Sequence, residues 1–325
     1  MTDKGASVII CCFNSAARLP ETLQHLNRQR VPDDFQWEIV LVNNASKDDT
    51  VAVAQAIWSA QTPHNAVCRI VDEMQPGQMF ARKRGAKEAL YECLVFCDDD
   101  NWLGPDYVYV AWETLQRDAR IGAAGGQNAP VSDVAAYPDW FDAYKAYYAT
   151  GVPAPSSGDI TERGYIVGAG LVTRKSLFLE ALSDRYPTVL NGRNGHSLST
   201  GDDFEYIKRL QLWGYTLYYD ERMQLQHFIP RERLTLAYRD RLLEGIREAT
   251  AILANYEHAL YILKQVAHKN KRKLVLLGPL RMFLARAKLV RRDYETERMR
   301  YFYLAPFNVK GTPIQQSIKK FLHRN

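Results

Sequence analysis

Three consecutive carboxylates, Asp98-Asp99-Asp100, follow directly on the apolar run Leu94 to Cys97. In an extended segment alternate residues point the same way, so Asp98 and Asp100 are expected to face one site and Asp99 another. Two carboxylates held close repel each other, and burying them unpaired is costly. A hard divalent cation resolves both problems, and oxygen ligands suit Mn²⁺ or Mg²⁺. Such an ion keeps open positions that a diphosphate can fill. The bland alternative is a solvated acidic turn, where Asp is common. A second acidic pair, Asp202-Asp203, follows Gly201, and His227 lies beyond it. At a helix N-terminus acids are favoured by the dipole alone, which is reading enough for Asp202.

The elements that must hold these residues alternate in type. Ser7 to Phe13, Trp37 to Val42, Cys68 to Val71 and Leu94 to Cys97 are short apolar runs of the kind that form buried parallel strands. Between them lie helical patterns from Pro20, from Val51 to Trp58 behind a capping box at Ser46 to Asp49, and from Met79 to Leu90. This order predicts an α/β fold with a doubly wound, mostly parallel sheet. Ligands of such sheets bind at the carboxyl ends of the strands, where Asn14, Asn43-Asn44 and Asp98 to Asp100 all fall. That position favours a site over a bland turn. Residues 129–163 are rich in Pro, Gly, Ser and aromatics and predict an irregular insert. Tyr165 to Thr173 and Thr216 to His227 predict further strands, and Leu234 to Val266 a long helix. The stretch from Tyr301 predicts a loose tail.

Taken in order, these motifs resemble inverting glycosyltransferase family 2, which has the GT-A fold. The resemblance covers roughly residues 5–240. It rests on Val8-Ile-Ile-Cys-Cys-Phe-Asn14, on Glu38 to Thr50, on Gly77 with Ala81-Arg-Lys-Arg-Gly85, on Asp98 to Asp100, on Gly201-Asp-Asp203, and on His227 ahead of Pro230-Arg-Glu-Arg233. It implies a donor half (1–128) and an acceptor-side half (129–233) in one GT-A domain, with a helical, basic extension at 234–325. It further implies a nucleotide-sugar donor, UDP-linked by expectation, held by Cys12, Phe13, Asn14, Asn43, Gly77, Arg82, Asp98 and Asp99. Asp100 and His227 would be metal ligands on the diphosphate, with Mn²⁺ or Mg²⁺ as cofactor, and Asp203 the catalytic base. The acceptor would be a saccharide or a lipid-linked saccharide, in the synthesis of a cell-surface polysaccharide or glycan.

The chain departs from the family pattern at Asn43, where Asp is usual, at Lys83 for Asn and at Asp202 for Glu. An amide both accepts and donates, so the nucleobase is left open. The Gln-x-x-Arg-Trp signature of processive members is absent, and Lys208 to Trp213 reads as ordinary helix, which favours single additions. Two other classes compete. A nucleotidyltransferase shares the α/β fold and the acidic metal site, but wants a Gly-rich, basic phosphate loop that Cys11 to Arg18 does not supply. An inactive nucleotide-sugar-binding or scaffold protein would have no use for Asp98, Asp100, Asp203 and His227 together. Gly168-Ala-Gly170 lacks the third glycine of a dinucleotide fingerprint. Trp102, Trp140, Phe141 and Tyr144 are candidates for stacking on sugars, with core packing the commoner role. The insert and the stretch from Asn191 to Thr200 are candidates for recognising the acceptor.

Composition sets the bounds. The 325 residues are 46% hydrophobic and 24% charged, enough for a substantial core. Cys11, Cys12, Cys68, Cys93 and Cys97 make an odd count without a CxxC pair, as free thiols in a reducing compartment would. With no signal-peptide pattern and no apolar run near a membrane span, a cytoplasmic location is expected. The net charge of +5 is uneven: residues 264–292 hold ten Lys and Arg and no acid, which leaves the remainder at −5. An acidic body argues against nucleic acid as a partner. The basic stretch, interleaved with Leu274 to Leu277 and Met282 to Leu284, suits either peripheral contact with an anionic membrane or a solvated helix face.

Overall fold

The computed structural model describes residues 4–60, 66–190, 192, 200–267, 301–302 and 318. The first half is a regular alternation: β1 (Gly5–Cys12), α1 (Leu19–Asn27), β2 (Gln36–Asn43), α2 (Thr50–Ser59), β3 (Ala66–Asp72), α3 (Gln78–Glu88) and β4 (Cys93–Asp98). Next come β5 (Asn101–Leu103), α4 (Tyr107–Arg117), β6 (Ile121–Val131), α5 (Phe141–Tyr144) and β7 (Gly158–Asp159). The chain continues through β8 (Val172–Arg174), α6 (Lys175–Ala181), α7 (Asp202–Leu212), β9 (Thr216–Phe228) and α8 (Leu236–Ala267).

One nine-stranded sheet runs in the order β3-β2-β1-β4-β8-β6-β9-β5, with β7 on β9. Pairing is parallel through β3, β2, β1 and β4 and again between β6 and β9; β8, β5 and β7 pair antiparallel. The parallel strands are apolar on both faces because helices cover both. Val8 and Ile10 of β1 join Leu19, Leu23 and Leu26 of α1 and Val108 of α4 in one core. Ile9 points the other way, into a second core with Met79, Ala81 and Ala86 of α3 and Tyr206 and Leu210 of α7. This three-layer plan aligns the carboxyl ends of β1, β2 and β4 along one edge.

The structure revises several boundaries. No side chain caps α2; Asp48 accepts from Thr50 N instead, and Ser46 N donates to Asn43. Of the expected strand at Tyr165 to Thr173, only Val172 and Thr173 belong to β8; Gly170 and Leu171 still bond to Phe96 of β4, and Gly170, with φ of 75°, bends the segment before it. Residues 129–163 are the expected irregular insert with short helical turns, although β6 runs into it as far as Val131. The long C-terminal helix is unbroken, and its wall carries Tyr238 and Leu242 into an aromatic cluster with Phe141 and Tyr148. Trp140 and Tyr144 pack against the same cluster, and Trp102 stacks between His25 and Phe228. All five cysteines are free thiols. Burial pushes Cys11, Cys68 and Cys93 up to about 12, so they stay protonated as free thiols. Most of the Asn191 to Thr200 stretch, residues 268–292 and nearly all of the expected tail lie outside the described residues.

Candidate active site

A cleft of about 850 Å³ opens at the carboxyl ends of β1 and β4. That is the size of a site for a small ligand. Its near wall is the family-like half: Cys12, Phe13, Gly77, Arg82 and Asp98 to Asp100 all line it. Its far wall is built by the loop before β8, the start of α7, the end of β9 and α8, with Gly168, Asp203, His227 and Tyr238 among the lining residues.

The acidic triplet is arranged differently from the alternation expected of a strand. β4 ends at Asp98, and residues 99 and 100 form a turn into β5. All three carboxylates therefore line the cleft, each with different partners. Asp98 Oδ1 accepts from Gln78 Nε2 at 3.0 Å and lies 3.6 Å from the Arg82 guanidinium. Asp99 is buried; Arg18 and the Ser15 hydroxyl both donate to it, and its carbonyl takes the Thr22 hydroxyl. It thus ties α1 to the turn, and its oxygens are engaged by the protein rather than offered to a ligand. Burial and the neighbouring Asp100 charge push its carboxyl up, against Arg18.

Asp100 meets Arg233 Nη1 at 2.8 Å and His227 Nε2 at 3.5 Å. Burial opposes its ionisation, but His227 and Arg233 overcome that and hold the carboxyl far below the usual range. His227 arrives by strand register: β9 pairs with β5, and Asn101 is its partner. Its buried Nδ1 has no hydrogen-bond partner among the described residues. One ionised carboxylate beside one imidazole with a nitrogen to spare fits a divalent ion that takes its remaining ligands from phosphate oxygens. Among the described residues no cluster of three or more His, Cys, Asp or Glu forms a complete protein cage.

Asp203 stands on the opposite wall. Gly168 N donates to its Oδ2 at 2.7 Å and Phe204 N to its Oδ1 at 2.9 Å. Asp99, Asp100 and Asp202 in this cleft each have a close cationic partner; Asp203 has no ion pair among the described residues. Burial raises its carboxyl to about 6, the Asp202 charge pushes the same way, and Arg82 and the two N–H groups oppose. A carboxylate titrating there is ionised at neutral pH and basic enough to take a proton.

Several expected residues sit elsewhere. Asn43 and Asn14 are not among the cleft-lining residues. Asn43 donates to Asp72 at 2.9 Å and accepts from Ser46 N; Asn14, with φ of 51°, accepts from Lys47 N. The adjacent Asn44 lines the cleft instead and braces the loop before α3 through Glu73 O, Gln75 O and Gly77 N. Phe13, 41% exposed, offers an open aromatic face at that end. Arg18, Gln78 and Arg233 were not singled out by sequence reasoning. Arg233 closes the Pro230-Arg-Glu-Arg233 motif, so its signal was present without a role.

Residues 7–143 match Glycosyl transferase family 2. This segment is therefore similar to a family 2 glycosyltransferase domain. It runs from β1 into α5, so Asp203 and His227 lie beyond the matched residues. Over 102 residues the chain is 30% identical to an uncharacterized glycosyltransferase, YwdF, of Bacillus subtilis, covering 31% of this chain and 35% of that protein. Over 124 residues it is 27% identical to a poly-beta-1,6-N-acetyl-D-glucosamine synthase of Staphylococcus epidermidis, covering 38% and 28% respectively. The match thus spans about a third of the length of these relatives. Crystal structures of S. aureus TarS share the fold beyond the matched domain. TarS 1-349 in complex with UDP-GlcNAc aligns over 77% of this chain and 66% of its own, with a TM-score of 0.53 at 14% identity. The complex with UDP aligns over 92% and 89%, with a TM-score of 0.52 at 12% identity. The matched segment and the segments after it thus form the two walls of one cleft in a GT-A-like fold.

Proposed function

We propose that this chain is an inverting glycosyltransferase that moves one sugar from a UDP-sugar to an acceptor hydroxyl in the synthesis of a polysaccharide or other glycan. The observation that carries this reading is Asp203: a carboxylate facing the cleft without an ion-pair partner among the described residues, across from the Asp100, His227 and Arg233 cluster. Base and leaving-group machinery on opposite walls suit direct displacement, in which the acceptor oxygen attacks opposite the departing diphosphate. A covalent intermediate would instead need a carboxylate nucleophile paired with an acid.

In this reading Phe13 stacks on the nucleobase, Gln78 and Asp98 border the ribose and phosphates, and Asp203 removes the acceptor proton. Arg233 and Arg18 add positive charge where the leaving diphosphate gathers negative charge. Asp100 and His227 would hold Mn²⁺ or Mg²⁺, which when bound supplies a Lewis acid for the diphosphate oxygens. The UDP assignment is supported by the TarS complexes, and the glycan product by the poly-N-acetylglucosamine synthase relative.

Thermal shift with UDP-, GDP-, dTDP- and CMP-sugars, each with Mn²⁺ or with EDTA, tests the donor end. A ligand that binds only the native state raises the melting temperature by mass action. A shift confined to UDP-sugars and lost in EDTA is expected; no shift with any nucleotide would overturn the reading. Asp203→Asn should keep that shift while lowering transfer by at least about a hundredfold, in the range of general-base catalysis. Transfer that survives the substitution would remove Asp203 from the mechanism.

A further inference from the structure

We propose that Gly168, Arg82 and Asp202 form a positioning clamp that fixes the orientation and charge of the Asp203 carboxylate. The inference rests on Asp203 being the base. It assigns a role to Gly168-Ala-Gly170, whose glycines do not make a dinucleotide fingerprint, and it gives Arg82, which also reaches Asp98, a second task beside Asp203.

Gly168 holds Asp203 by its backbone N–H at 2.7 Å. A side chain at this position has no room: a Cβ there would stand 2.8 Å from Arg82 Nη2 and 2.9 Å from Asp203 Oδ2. The guanidinium and the carboxylate therefore pack against the same bare face of Gly168. Arg82 itself is 3% exposed, and its Nη1 donates to Asp202 at 3.2 Å. Its second terminal nitrogen reaches toward Asp98, and its plane lies near the Phe96 ring at 5.5 Å. The guanidinium thus spans from the donor carboxylate at the end of β4 to the first turn of α7. Gly170 locks the loop from the other side, where the Tyr107 hydroxyl donates to its carbonyl at 2.7 Å.

The clamp has one member of each sign. Asp202 repels negative charge on Asp203, and Arg82 and the Gly168 N–H stabilise it. Other charged groups on this side of the cleft are Lys208 of α7, Arg163 ahead of the loop, and Glu257 of α8, which pairs with Lys208 at 3.6 Å. None of these belongs to the Asp100 and His227 pair.

Carboxyl-carbon NMR of the full chain labelled with ¹³C-aspartate tests the clamp without any acceptor. The Asp203 resonance is assigned by its loss in Asp203→Asn, and its midpoint in the parent protein is expected near 6. Asp202→Asn removes the like charge and should lower the midpoint by about one pH unit. Gly168→Ala displaces the N–H and Arg82 and should raise it by about the same amount. Gly168 has no positive φ, and the atoms a methyl group would meet are the ends of side chains, so this variant should fold. Should it melt early, Asp202→Asn decides alone. Opposite displacements support the clamp. An unchanged midpoint, or two shifts of the same sign, overturns it. Failure of Asp203 as base would appear separately, as transfer surviving in Asp203→Asn, and would leave the titration result standing.

Discussion

Asp203 illustrates how a reactive carboxylate weakens the fold that holds it. Its pKa in the folded protein is raised to about 6 from the ordinary carboxylate value of 3.8, so folding disfavours its ionised form. A raised folded-state value means that the native state binds more protons than the unfolded chain between those two values. Stability contributed by the protonated group is therefore present at low pH and lost as pH rises through about 6. Asp203→Asn, which never ionises, should melt higher than the parent protein at pH 8 and gain less at pH 5. Melting curves at the two pH values measure this, and an equal difference at both would mean that Asp203 is not strained by ionisation. The place of Asp203 in the cleft was legible only from motif order. Its lack of an ion pair was not, because Arg82, a neighbour brought from far along the chain, pairs with Asp202 instead. The same limit misled the alternation argument at Asp98 to Asp100. A period of two holds only while the strand continues, and the strand stops at Asp98.

Among the elements, the parallel strands and their helices were readable because each buries apolar faces with a fixed period. Others carry no such signal. β6 (Ile121–Val131) reads IGAAGGQNAPV, poor in the β-branched residues that mark strands, yet it sits deep in the sheet beside β9. Its small residues are explained by close approach: a Cβ on Gly126 would stand 1.7 Å from the Met223 carbonyl oxygen. That contact is backbone against backbone, so no side chain can yield. Gly126→Ala should destabilise the protein by about 3 kcal/mol or more, at the upper end of overpacking costs. Urea unfolding would show it as a lower midpoint; an unchanged midpoint would mean that β6 and β9 separate freely. The tie between α7 and α8 is equally silent in the sequence. Arg209, fully buried, donates to the carbonyls of Ala181, Tyr186 and Pro187, and the Glu205 carboxylate takes both Arg209 and the Tyr256 hydroxyl. A charge pattern on one helix face does not reveal that another helix will bury it. Breaking such a network by removing one partner is costly, because the remaining charge stays buried. This anchoring fixes α8 against the helix that carries Asp203, on the same wall of the cleft.

For the molecule as a whole, the uneven charge is the feature that fold alone leaves unused. α8 lines the cleft with Tyr238, Leu242 and Ile246 and runs on to Ala267, where the basic stretch of ten Lys and Arg has already begun. No helix among the described residues is long and apolar enough to cross a membrane. An electropositive segment on an acidic body suits attachment to an anionic surface from one side, with each cation near the surface adding roughly 1 kcal/mol. The expected outcome is that the full chain floats with vesicles of phosphatidylcholine and phosphatidylglycerol at low salt and is released as salt screens the charges. It should not float with phosphatidylcholine alone. Flotation with neither vesicle would assign the ten cations to a solvated helix face. Flotation with both, insensitive to salt, would shift the attraction from charge to the apolar residues between the cations, Leu274 to Leu277 and Met282 to Leu284. Substituting Glu for Lys271, Arg272 and Lys273 separates the two causes, since it cuts the charge of the stretch from +10 to +4, which should weaken salt-sensitive binding, and leaves every apolar side chain in place.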